Sequence, residues 1–143
     1  MNLSNLKQQF EESSDNKMSL EEFQILVLIY PIFLVANADN KFDEEEKFFI
    51  KGILLNFLEP LYKNELSEVQ YNNLIDNFLS DLKFLQTNQE KFKNNFLETI
   101  KSFDVEIRKS ISELLNDVAN ASGGLSVQEN IMIKSIKNDF LKL

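Results

Sequence analysis

Apolar residues along this chain recur at intervals of three and four, the period of a helix that buries one face. Leu3, Leu6 and Phe10 open the series. Phe78, Leu82 and Leu85 continue it, then Phe92, Phe96 and Ile100, then Ile107, Ile111, Leu114, Leu115 and Val118. One stretch departs from the pattern. From Ile25 to Ala36 the chain is apolar on every side, which predicts a helix buried among the others. Its twelve residues fall short of the ~20 that a membrane span requires, and Glu21, Glu22 and Asp39 flank it.

Helix starts follow from capping boxes, in which Ser, Thr or Asp is followed three residues on by Glu or Gln. The first side chain accepts from the third residue's N–H, and the third reaches back to the cap. Ser19–Glu22 predicts a helix to about Asn37, and Asp43–Glu46 one to about Leu58, stopped before Pro60. Ser67–Gln70 opens a segment to about Leu85, and Thr87–Glu90 one to about Lys101. Asp104 is placed to cap a helix reaching Ala121, and Ser126–Glu129 opens the last, to about Leu141. Pro31 predicts a kink near residues 27–31 or a break into two helices, since proline removes one backbone donor and crowds the preceding turn.

The chain also repeats itself. Residues 35–53 read VANADNKFDEEEKFFIKGI and residues 118–136 read VANASGGLSVQENIMIKSI, with eight of nineteen positions identical at a constant offset of 83. In each copy small alanines end one helix and a short turn follows. An apolar plug (Phe42, Leu125) and a cap (Asp43, Ser126) then open the next helix. The fold class expected is therefore all-α, a compact bundle of about seven helices containing two pseudo-twofold-related helix–loop–helix repeats. Residues 1–18 read as an N-terminal extension with a short helix, and 19–143 as the main helical domain.

Composition narrows the chemistry. Three glycines and two prolines in 143 residues are too few turns for an all-β fold. The absence of cysteine and histidine excludes disulfides, thiol chemistry, histidine acid–base catalysis and Cys/His metal sites. A net charge of −8 with a single arginine, Arg108, argues against nucleic acid as a partner, which would require a basic stripe. The N-terminal residues lack a signal peptide's apolar core, so a cytoplasmic location is expected. No nucleophile–base pairing and no phosphate-cradling glycine loop is present, so catalysis is not expected.

Any metal would need oxygen ligands. Asp39, Asp43, Glu44, Glu45 and Glu46 crowd the first repeat loop. Capping explains Asp43 and Glu46, and the helix dipole explains Glu44 and Glu45, which leaves Asp39 over. An EF-hand does not fit: counting from Asp39, the third position is Lys41, the sixth Glu44 and the twelfth Ile50.

The segment ANADNKFDEEE resembles the Ala–Asp–Gly-type loop with a helix-opening glutamate found in the TerB-like family of tellurite-resistance proteins. ANASGGLSVQE falls where that family repeats the loop. The resemblance covers about residues 19–141. It implies a compact domain of about seven helices, a role in bacterial stress resistance and an acidic cation site. By position the site's acids fall on Asp39, Glu46 and Glu129, with Asp43 as a further candidate and calcium or magnesium as the cation. The family's second aspartate falls on Ser122, and the first loop's glycine on Asn40. The function expected is a non-enzymatic TerB-like binding module with a weak divalent-cation site. The alternative is a metal-free interaction domain that uses its acidic surface to bind a basic protein.

Overall fold

The computed structural model describes residues 2–38, 44–120 and 126–143, with every side chain among them except that of Ala119. The described residues are helical without strands: α1 (Leu3–Ser14), α2 (Leu20–Ala36), α3 (Glu44–Leu61), α4 (Glu68–Thr87), α5 (Gln89–Ile100), α6 (Val105–Asn120) and α7 (Val127–Ile136). A final π-helical turn runs over Lys137–Leu141. The all-α bundle of about seven helices matches the expectation.

The all-apolar stretch is the hub. Every residue of α2 from Ile25 to Ala36 is buried, and all six other helices pack against it. Such a helix could not lie on a surface without exposing apolar area. Pro31 sits inside α2, yet the helix runs unbroken through it. Proline deprives the Val27 carbonyl of its i+4 donor, but the packing on all sides holds the helix together. The break into two helices does not occur.

Phenylalanines fill the space at one side of the hub. Phe10 meets Phe23, Phe84, Phe92 and Phe96 at centroid distances of 5.7–6.0 Å, mostly edge-on, the arrangement the ring quadrupoles favour. Leu6 and Phe10 of α1 are fully buried in the same core as α2.

Three capping boxes form as the sequence predicts, at Ser19–Glu22, Ser67–Gln70 and Ser126–Glu129. The one at Asp43–Glu46 lies outside the described residues through Asp43. Thr87 does not cap. Its hydroxyl donates to the Lys83 carbonyl at 3.1 Å, so it ends α4, and Asn88 alone separates α4 from α5. Pro60 does not stop α3 at Leu58. The helix continues to Leu61 and leaves through Lys63 and Asn64, both left-handed at φ 54° and 57°. A proline in the last turn forfeits one hydrogen bond and no more of the helix. Near the C-terminus the lone arginine acts as a clasp. Arg108 donates from Nε to the Phe103 carbonyl at 3.0 Å and from Nη1 to the Leu141 carbonyl at 2.7 Å.

Candidate functional site

The second helices of the two sequence repeats can be compared position by position. α3 starts at Glu44 and α7 at Val127, which correspond in the alignment. Equivalent apolar positions share their burial: Val35 with Val118, Ile50 with Ile133, and Ile53 with Ile136. The third residue of each helix is a glutamate, and both glutamates are withdrawn from water, Glu46 and Glu129 each being 3% exposed. Of the other predicted ligands, Asp39 and Asp43 lie outside the described residues, as does Ser122. Among the described residues no three acids converge as a cation shell.

Capping accounts for half of the Glu129 carboxylate. Its Oε1 accepts from the Ser126 N–H at 3.1 Å, while the Ser126 hydroxyl accepts from the Glu129 N–H at 3.0 Å. Its Oε2 is buried and receives no hydrogen bond among the described residues. The third-position glutamate of α2 shows the difference. Glu22 Oε1 accepts from the Ser19 N–H at 3.0 Å, and its Oε2 is taken by the Tyr62 hydroxyl. Burial together with that carboxylate pushes the Tyr62 phenol up to about 12. A buried carboxylate oxygen with no donor is costly, and such atoms are rare in folded proteins.

Two further features were not picked out from the sequence. Asp81 is buried in α4 and faces a small cavity of about 50 Å³ lined also by Asn16, Lys17, Met18 and Glu22. Its sequence context, a lone aspartate on a helix, carries no signal of this. The second is Phe48, which is 79% exposed. Here a signal was present. The core face of α3 is Glu46, Ile50, Ile53, Leu54 and Leu58, and at about 100° per residue Phe48 falls on the opposite side. Phe48, Phe49, Gly52, Ile53 and Leu114 line an open trough of about 780 Å³, with Glu44 and Glu45 at one end.

No family model, no curated protein and no solved structure matches this chain.

Proposed function

We propose that this chain is a non-enzymatic, TerB-like binding module of a bacterial stress response of the tellurite-resistance type, holding a divalent cation such as calcium or magnesium at its paired helix starts. The observation that carries the reading is the second oxygen of Glu129, buried and without a donor among the described residues. A hard cation satisfies such an oxygen where no N–H does. Glu46 is buried at the equivalent position, and Asp39 and Asp43 precede it closely in the sequence as further carboxylates.

Titration calorimetry with calcium, magnesium and manganese tests this, together with melting temperatures at millimolar metal. Binding to the folded state alone raises the melting temperature with metal concentration. Glu129→Gln should abolish that rise while keeping the cap, because its Oε1 still accepts from Ser126. No heat and no rise for the unmodified protein would overturn the cation.

A second reading is a metal-free interaction domain whose acidic surface receives a basic protein. The exposed Phe48 beside Glu44 and Glu45 favours it, since a large apolar side chain left in water commonly marks a contact surface.

A further inference from the structure

The trough beside Phe48 does not end at Leu114. Leu114 also lines a second apolar recess of about 220 Å³ with Leu28, Ile32, Phe57, Ile107 and Ile111. The two together follow the seam between α3 and α6. Phe49 and Ile53 line the first recess with Leu114, and Phe57 lines the second with Ile107 and Ile111, an order in which the two helices run antiparallel. From Phe48 to Phe57 the seam spans roughly 13 Å, between two and three helical turns.

One end of the trough carries acids. Glu44 and Glu45 stand at the α3 start, and Asp117, one turn beyond Leu114 and exposed, extends α6 toward the same end. Among the described residues no ion pair engages any of the three.

Gly52 supplies a separate observation. It lies inside α3, where glycine costs roughly 1 kcal/mol relative to alanine. A Cβ built there meets nothing within 4 Å. Nothing within the described fold therefore requires glycine. Its effect is to keep the trough wall low, so that another backbone can approach α3 closely.

We infer that the α3–α6 trough receives an amphipathic helix of a partner protein, apolar on the face that enters the trough and basic at the end that meets Glu44, Glu45 and Asp117. Helix-in-groove recognition uses anchors at i, i+3, i+4 and i+7, and a trough of this length accepts about that many. The charge selects the occupant. A second copy of this chain would bring its own net −8, and an anionic membrane or nucleic acid is repelled by the same acids. The inference rests on the partner-binding reading and is independent of the cation.

The test uses the full chain in EDTA and a synthetic fluorescent helix of about 14 residues, with leucines at the anchor spacing and lysines at one end. A twin peptide carries glutamate in place of lysine. Fluorescence anisotropy should give one-to-one binding of the basic peptide and none of the acidic twin. Gly52→Leu, which fills the trough from its wall, and Phe48→Ser, which changes an exposed residue, should each weaken binding at least about tenfold. Paired Glu44→Lys and Glu45→Lys should do the same. The remote pair Glu68→Lys and Glu90→Lys, exposed on α4 and α5, should leave affinity within about twofold. Basic-peptide binding that ignores the trough variants would overturn the trough while leaving the partner-binding reading intact. Failure to bind any basic peptide would overturn both. Sedimentation showing a dimer abolished by Phe48→Ser would also overturn the inference, by assigning the trough to a second copy.

Discussion

Asn16, in the link between α1 and α2, donates its side-chain amide to both carboxylate oxygens of Asp81 on α4, at 2.8 and 2.9 Å. The contact ties the N-terminal segment to the middle of the bundle across 65 residues of chain. It is also where the fold carries a pH-sensitive cost. Burial pushes the Asp81 carboxyl up from its ordinary 3.8 to about 6, and the Asn16 bond opposes that rise without cancelling it.

The sign of the consequence is fixed by linkage. Between pH 3.8 and about 6 the folded state binds more protons at Asp81 than the unfolded state does, so stability falls as pH rises. The contribution is complete below the lower value and lost above the upper one. At about 1.4 kcal/mol per pKa unit, reduced for residual solvation, the loss is on the order of 2 kcal/mol. Asp81→Asn keeps an acceptor for Asn16 and removes the proton. Urea midpoints of the two proteins should converge near pH 4 and separate by pH 7, with Asp81→Asn the more stable. A constant difference across that range would refute the assignment.

Tyr30 is a buried polar group that, unlike Asp81, has no compensating bond among the described residues. It is fully buried in α2, against Phe96 at 5.2 Å, and its hydroxyl has no hydrogen-bond partner among the described residues. Burial accordingly pushes the phenol up. Tyr30→Phe retains the ring contact and deletes only the unsatisfied oxygen. Such a change is close to neutral or stabilising by about 1 kcal/mol. Thermal denaturation should show an equal or higher melting temperature, and a fall of several degrees would mean that the hydroxyl has a partner.

These two residues mark where the sequence stops being informative. The hub helix, the helical stripes and three of the capping boxes were legible because each is a local pattern: an apolar run, a period, a Ser–x–x–Glu spacing. Thr87 misled because its hydroxyl has two local outlets, forward to a cap or back to the carbonyl four residues earlier, and spacing does not choose between them. Asn16–Asp81 was invisible because it joins positions remote in sequence. The residues of the proposed cation site were legible only in part. Glu46 and Glu129 stood out as helix-opening glutamates, but their burial comes from the tertiary packing of α3 and α7, which no local spacing encodes.

Arg108 is the chain's only arginine, and its two contacts predict what lysine cannot replace. One guanidinium spans the Phe103 and Leu141 carbonyls, which are separated widely in sequence. Lysine offers one ammonium and no planar fork. Arg108→Ala should lose about 1.5–3 kcal/mol, the range for hydrogen bonds to a charged group. Arg108→Lys should recover little of it. Hydrogen exchange should localise the change to residues 137–143, where the π-helical turn ends. Uniform loss of protection across the bundle, with this segment no faster than the rest, would count against a local clasp.

Gly52 separates the stability of the fold from the use of its surface. A methyl group added there meets nothing within 4 Å, so Gly52→Ala gains helix propensity without a steric penalty. The expected gain is about 0.5–1 kcal/mol, partly through a less flexible unfolded chain. Read as a melting temperature, that is a rise of a few degrees for a domain of this size. A destabilised Gly52→Ala would show that the wall of the trough is already occupied, and the space beside α3 would then be closed to any partner. If stability rises while the leucine–lysine helix binds more weakly, the glycine is held for the partner at the fold's expense. A residue serving only the fold could not move the two measurements in opposite directions.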